Sequence, residues 1–175
     1  MEINKRVETE RLYLREMVPS DFSSLCKILQ DEKAMYAYEG PFDHGEVQEW
    51  LDRQIARYQK WGFGLWAVVL KETGEMIGQC GLTMQPWKEK EVLEIGYLFW
   101  RAFWHQGYAT EAAKGCKDYA FKVLHAQEVC SIIRDTNLAS KNVAIRNGMK
   151  KMDTWVKHYR GVDMPHERYV VQKME

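Results

Sequence analysis

The chain reads as an α+β protein with a mixed, mostly antiparallel sheet flanked by helices, and three features predict that class. Apolar runs of strand length recur at Trp66-Ala-Val-Val-Leu70, Met76-Ile-Gly-Gln-Cys-Gly-Leu82 and Val92-Leu-Glu-Ile-Gly-Tyr-Leu-Phe-Trp100. Between the last of these and a further run, Val129-Cys-Ser-Ile-Ile133, lies a long stretch of helical periodicity. A helical crossover of that kind makes the two strands it joins parallel. Elsewhere the connections carry hairpin signals, such as the turn at Glu72-Thr-Gly74.

Taken in order, Arg11 to Glu16 alternates Leu12 and Leu14 with Tyr13 and Arg15, the pattern of a half-buried strand. Pro19-Ser-Asp opens a helix with Ser20 as its cap and Phe22, Leu25, Cys26 and Leu29 as its inner stripe. Gly40-Pro-Phe-Asp43 breaks the chain, and Val47, Trp50, Leu51, Ile55 and Tyr58 mark a second helix that ends before Gly62. After the hairpin at 66–82, a polar interval containing Pro86 and Lys88-Glu-Lys-Glu91 leads to the central strand. Beyond the crossover, a short helix runs from about Ser140 to Asn147 and closes at Gly148. Trp155 to Arg160 and Glu167 to Gln172 form a last hairpin around Gly161-Val-Asp-Met-Pro165. The aromatics of Met35-Tyr-Ala-Tyr38 and Trp61-Gly-Phe-Gly64 are read as core before they are read as ligand contacts.

Composition bounds the rest. With 175 residues, 46% of them hydrophobic, the chain builds one domain over 1–175 with a sizeable core. Its 25 basic and 25 acidic side chains cancel, which removes the general electrostatic drive toward nucleic acid or an anionic membrane. Cys26, Cys80, Cys116 and Cys130 sit in apolar elements without paired spacing, and Met1-Glu-Ile-Asn-Lys-Arg has no signal-peptide core. The expectation is a cytoplasmic protein with reduced cysteines, monomeric or homodimeric. His44, His105, His125, His158 and His166 show no metal-ligand spacing, so no metal is expected. A nucleotide phosphate loop of the Gly-Lys-Ser/Thr kind is absent, and Gly62-Phe-Gly64 lacks the third glycine of a dinucleotide fingerprint.

The stretch that carries chemistry is Trp100-Arg-Ala-Phe-Trp-His-Gln-Gly-Tyr-Ala-Thr-Glu-Ala-Ala113. After Gly107, Ala109, Ala112, Ala113, Cys116, Tyr119, Ala120, Val123 and Leu124 recur on one helical face, with Lys114, Lys117, Asp118 and Lys122 opposite. A helix starting near Tyr108 presents unpaired N–H groups and the positive end of its dipole, which suits a phosphate. Gly107 removes a side chain where such a ligand meets the backbone, Ala109 keeps the next turn small, and Thr110 adds a hydroxyl.

Trp104-His105-Gln106-Gly107-Tyr108-Ala109 resembles the acetyl-CoA loop of the GNAT N-acetyltransferase superfamily. Glu94-Ile-Gly-Tyr97 and Gly107-Tyr-Ala-Thr-Glu-Ala112 resemble its ribosomal-protein-alanine acetyltransferase branch, as does the spacing of Asn137, Ser140, Val143, Ala144 and Gly148. Trp104 at the first loop position and Met149 after Gly148 depart from the general pattern. The resemblance implies the GNAT fold, with two parallel central strands splayed around the pantetheine arm and the early helices walling the acceptor pocket. It implies acetyl-CoA as co-substrate and direct acetyl transfer, in a ternary complex, to a primary amine: a protein N-terminus, a free amino acid, a polyamine or an aminoglycoside-like amine. A neutral chain does not choose among them. The alternative is a catalytically silent acyl-CoA-binding sensor or interaction module, which intact Glu94, Asn137 and Ser140 argue against.

Such a transfer needs a neutral amine, oxyanion stabilisation and a proton for the departing thiolate. Glu94, a lone carboxylate in an apolar strand, has the environment of a base with raised pKa. It can equally be a buried acid held by a backbone or Arg partner. The resemblance places the oxyanion donor on the main chain at Leu98 and Phe99, near a bulge that Gly96 permits. Asn137 is either a pantetheine ligand or a turn-former beside Asp135 and Thr136. Ser140 is the helix cap, the thiolate's acid, or both, because the family's usual Tyr is Ala144 here. His105 contributes its backbone more than its ring.

Overall fold

In a computed structural model of the chain, which describes residues 4–38, 40–159 and 161–174, eight strands form one sheet among the described residues. They are β1 Lys5–Glu8, β2 Leu12–Arg15, β3 Leu65–Leu70, β4 Met76–Trp87, β5 Lys90–Phe99, β6 Glu128–Arg134, β7 Lys150–Tyr159 and β8 Val162–Gln172. The order is β1-β2-β3-β4-β5-β6-β8-β7, and every neighbouring pair is antiparallel except β5 with β6. Four helices, α1 Phe22–Leu29, α2 His44–Trp61, α3 Tyr108–Lys122 and α4 Leu138–Arg146, complete the α+β architecture. The crossover through α3 makes the parallel pair, as the sequence predicts.

Each helix follows its apolar stripe. In α1, Leu25, Ile28 and Leu29 are fully buried while Phe22 and Cys26 pack at the margin. Its start differs from expectation: Ser20 lies within a 3-10 turn, Pro19–Asp21, and Asp21 organises the entry. The reason is charge. The Asp21 carboxylate accepts both the Val18 N–H (2.8 Å) and two bonds from the Arg15 guanidinium (2.8 and 2.9 Å), so the stronger acceptor takes the corner. Asp43 and Glu46 form a reciprocal capping box on α2, and Gly62 ends it in the left-handed region at φ +80°. In α3 the small residues Ala112, Ala113, Cys116 and Ala120 bring the helix close to the sheet. Val123, expected on that face, lies past the last turn and is exposed.

Other departures share one cause, strands that run further than local polarity suggests. The polar interval around Pro86 is the end of a long β4–β5 hairpin, paired continuously from Gly78↔Phe99 to Trp87↔Lys90. Trp87 at its tip is buried and bonds Asp153 through its indole N–H (3.0 Å), so burial at the end pulls the polar residues into the ladder. The pairing of β3 with β4 stops near Gly81, and on the edge left beyond it Pro86 costs no bond. The C-terminal turn is likewise shorter than 161–165, because Met164 is buried and paired with Lys157. Arg160, the expected end of that strand, lies outside the described residues, as do Met1, Glu2 and Ile3 of the N-terminal segment. β1, which the sequence does not announce, pairs β2 with a register shift between Lys5 and Val7.

The core lies between the sheet and its helices, with Trp66, Leu12, Leu14, Leu51, Ile77 and Leu82 among its fully buried side chains. Cys80 and Cys116 face each other as free thiols with sulfurs 3.6 Å apart, one from β4 and one from α3. No helix is long and apolar enough to cross a membrane among the described residues.

Candidate active site

The site begins where the parallel strands part. β5 and β6 share a single residue pair, Glu94↔Cys130, and around it side chains stand in for ladder bonds. Ser131 Oγ donates to the Ile95 carbonyl (2.9 Å), and the Ile132 N–H donates to Glu94 Oε2 (2.7 Å). A carboxylate that occupies a neighbouring strand's N–H keeps the two backbones apart, so Glu94 itself holds the wedge open. No register shift interrupts β5 against β4, Gly96 included. The bulge expected there is not present, and the opening arises on the β6 side instead.

Two cavities flank this wedge. The first, about 510 Å³, lies between the C-terminal end of β5 and the starts of α3 and α4. Leu98, Phe99, Trp104, His105, Gly107, Tyr108, Ala109 and Thr110 line it, together with Asn137 and Ser140. Gln106 does not; its carbonyl accepts a bond from Arg11 Nη1 (3.0 Å) on the outer face of the loop. The second cavity, about 340 Å³, holds Glu94 with Trp50, Arg53 and Arg57 of α2, and Lys157 and His166 of the last hairpin. Tyr97, Leu98, Asn137 and Ser140 line both, so the cavities meet at those residues.

The loop before α3 has the geometry of an anion cradle. His105 (φ 64°) and Gly107 (φ 82°) both adopt left-handed backbone conformations. For His105 that is unusual strain, and its ring is exposed, so its backbone is what the loop uses. No side chain caps α3, which leaves the first-turn N–H groups and the positive helix end facing the first cavity. An unannounced brace holds the loop: Arg11 bonds Glu111 (2.7 Å) and lies over the Tyr108 ring at 4.3 Å. Glu111 also accepts the Arg11 backbone N–H (2.9 Å). Trp104 is fixed by its indole N–H, which donates to the Phe99 carbonyl (2.8 Å). Only the acidic residue in the first turn, Glu111, hinted at this in the sequence.

At the junction, Asn137 is the cap of α4, and its Oδ1 accepts the Ser140 N–H (3.2 Å). Ser140 is therefore inside the first turn, not its cap. An Asn cap wins here because the chain leaves β6 through a tight turn that sets Asn137 three residues before a free N–H. The Tyr97 hydroxyl spans the open wedge to donate to the Ser140 carbonyl (2.8 Å). Both backbone groups of Ser140 are thus committed and its hydroxyl lies beside that of Tyr97, while the Asn137 Nδ2 remains uncommitted among the described residues.

Burial pushes the Glu94 pKa up to about 7, against the opposing pull of the Ile132 N–H and of the Lys157 and Arg57 charges. Burial lowers the Arg57 pKa, with Arg53 adding to the effect, and it also lowers that of His166. Cys130, beside Glu94 in register, is buried, lines neither cavity, and has a thiol pushed up by burial and by that carboxyl. Of the aromatic stretches, Tyr36 reaches the first cavity and Tyr38 the second, whereas Met35 is core and Trp61 stacks on Phe63 elsewhere.

This architecture is shared with known proteins. Residues 11–150 match the Acetyltransferase (GNAT) domain family. The uncharacterized protein YkkB of Bacillus subtilis (strain 168) is 36% identical over 150 residues, covering 85% of this chain and 87% of YkkB. An acetyltransferase structure from Agrobacterium tumefaciens str. C58 superposes with a TM-score of 0.80 at 28% identity, covering 99% of this chain and 96% of that one. The ribosomal-protein-S5-alanine acetyltransferase of Vibrio fischeri, at 17% identity and 96% coverage of both chains, shares the fold with a TM-score of 0.76. The branch that the motifs resemble is thus among the fold's structural neighbours. With most of its length matched by the family and its sheet built on the same plan, the chain belongs to the GNAT acetyltransferase family and is an acetyl-CoA-dependent acyltransferase.

Proposed function

We propose that the chain acetylates a primary amine by direct transfer, with acetyl-CoA in the first cavity and the amine in the second. The observation that carries this reading is the meeting of the two cavities at Tyr97, Leu98, Asn137 and Ser140, with Glu94 on the acceptor side. A donor and an acceptor can then be present together. An acyl-enzyme route has little support, since Cys130, the thiol paired in register with Glu94, is sequestered and held in its protonated form.

The donor set fits the co-substrate. The uncapped start of α3 over Gly107, Tyr108, Ala109 and Thr110 suits a pyrophosphate, and the small side chain at Ala109 leaves the backbone accessible. Asn137 Nδ2 offers a donor to an amide carbonyl across the wedge, and Leu98 and Phe99 present the β5 main chain to the acyl oxygen. Acetyl-CoA supplies the activated acyl group. Glu94, with its pKa raised by burial to about 7, is tuned toward the working range of a base and accepts the amine proton directly or through water. As the new C–N bond forms and the C–S bond breaks, the departing sulfur takes a proton from the Ser140 hydroxyl or from solvent.

The test is thiol release from acetyl-CoA with a panel of primary amines, products identified by mass spectrometry. Acetylated amine formed with one thiol released per turnover is the expected result. Tight acetyl-CoA binding without release for any amine would make the chain a binder.

A further inference from the structure

The second cavity is unusual in its charge. Its lining includes Arg53, Arg57, Arg134 and Lys157, with Glu94 the only carboxylate among the described lining residues. The chain as a whole carries equal numbers of acidic and basic side chains, so this is a local concentration of positive charge. Arg134 is already engaged, donating to the Tyr36 carbonyl (2.7 Å) and lying over the Tyr36 ring at 5.3 Å. The other cations have no carboxylate partner within ion-pair distance among the described residues.

Arg57 is the most telling. It is half-buried, and its one hydrogen bond among the described residues is to the neutral Gln54 Oε1 (3.0 Å), which also accepts the Leu65 N–H and so is fixed. Arg53 stands one helical turn before it, and like charges at that spacing repel. Lys157 lines the same cavity from β7, and both Arg57 and Lys157 act electrostatically on the Glu94 carboxyl. A partly desolvated guanidinium with no carboxylate in ion-pair contact is costly, and an anion arriving from solution relieves that cost.

Resting on the acetyl-transfer reading of this site, we propose that the acceptor is a small amine bearing a carboxylate or phosphate, held by Arg53, Arg57 and Lys157 with its amine toward Glu94. The cavity volume of about 340 Å³ accommodates a molecule of amino-acid size. The same cations favour the amine's neutral, nucleophilic form and penalise any acceptor with several positive charges. Polyamines and aminoglycoside-like amines, open on the sequence alone, are thereby disfavoured.

The experiment compares matched acceptors under initial-rate conditions: phosphoethanolamine against ethanolamine, and phenylalanine against phenylalaninamide, with spermidine and an acidic pentapeptide alongside. The two pairs separate phosphate from carboxylate as the anionic group. At least one anionic member should exceed its neutral partner by about tenfold or more in kcat/KM. Arg57→Gln and Lys157→Gln should each shrink that ratio by about tenfold, and Arg57→Lys should restore much of it. Because the readout is a ratio within one protein, a partly destabilised variant still answers. Preference for spermidine or the neutral amines, a ratio unchanged in both Gln variants, or a preference for the acidic peptide over every small acceptor would overturn the proposal while leaving acetyl transfer standing. No thiol release with any acceptor would overturn both.

Discussion

At the residue scale, Glu94 does two things that are physically linked. By accepting the Ile132 N–H it substitutes for a ladder bond and holds β5 and β6 apart, and the burial this entails raises its pKa to about 7. With Glu94 in its proposed role as base, deprotonation as pH rises through neutrality should make the rate climb with pH over roughly 6 to 8 and level off above. Glu94→Gln should lower turnover by about 100- to 10,000-fold and abolish that acidic limb, with acetyl-CoA affinity near normal by calorimetry. A Gln variant that kept both rate and limb would transfer the limb to the acceptor amine. Its burial was legible in the apolar run around it, but its partner on β6, 38 residues away, was not.

At the element scale, the starts of two helices line the cavity proposed for the co-substrate. α3 has no side-chain cap and a left-handed Gly107, where a built Cβ would sit 3.4 Å from the Arg11 guanidinium. Gly107→Val should therefore strain the turn and press on the Arg11 brace that holds the cradle, raising the acetyl-CoA Kd by about tenfold or more while far-UV circular dichroism stays native. α4 differs because Asn137 is its cap and also borders both cavities. Asn137→Ala should lose about 1 kcal/mol of stability and also weaken acetyl-CoA binding. Asn137→Ser keeps a capping oxygen without the amide donor, so its melting temperature should return toward wild type while the affinity remains reduced. Full recovery of affinity in the Ser variant would leave Asn137 a cap and nothing more. The sequence offered a turn-former and a pantetheine ligand as alternatives; the structure makes Asn137 the helix cap through its Oδ1, which leaves its Nδ2 for the proposed ligand role.

At the scale of the whole molecule, the far end of the sheet is tied together by Asp153. It accepts bonds from the Trp87 indole N–H (3.0 Å) at the β4–β5 tip and from Arg168 Nε (2.9 Å) on β8. Trp155 packs edge-on against Trp87 beside it, with ring centroids 5.5 Å apart. Burial alone would raise the Asp153 pKa, but the Trp87 and Arg168 hydrogen bonds and the Arg168 charge hold it at about 2. A carboxyl depressed in the folded state contributes its full stability above the unfolded value of about 4, and loses it as pH falls toward 2. The melting temperature should accordingly drop between about pH 4 and pH 2, and Asp153→Asn should flatten that dependence while lowering stability at pH 7. An equally steep acid limb in the Asn variant would place the lost protonation elsewhere.

Local periodicity and turn chemistry suffice to read the α+β class, the parallel crossover, α2 and α3, because each depends on residues within a few positions of one another. The loop 104–110 was legible for the same reason: a glycine, a small residue and a helix start lie adjacent in the chain. What the tertiary structure decided was everything set by distant partners. Asp21 displaced Ser20 because Arg15 reaches it, Pro86 entered a strand because Trp87 is buried against β7, and the expected bulge in β5 gave way to a wedge held by Glu94 and Ser131. The cationic cavity proposed for the acceptor has no sequence signature, since Arg53 and Arg57 on α2 lie 100 or more residues from Lys157 on β7 and share one lining only in the fold. Charges that are unremarkable along a neutral chain acquire meaning when folding gathers them in one cavity and partly buries Arg57 with no carboxylate in ion-pair contact.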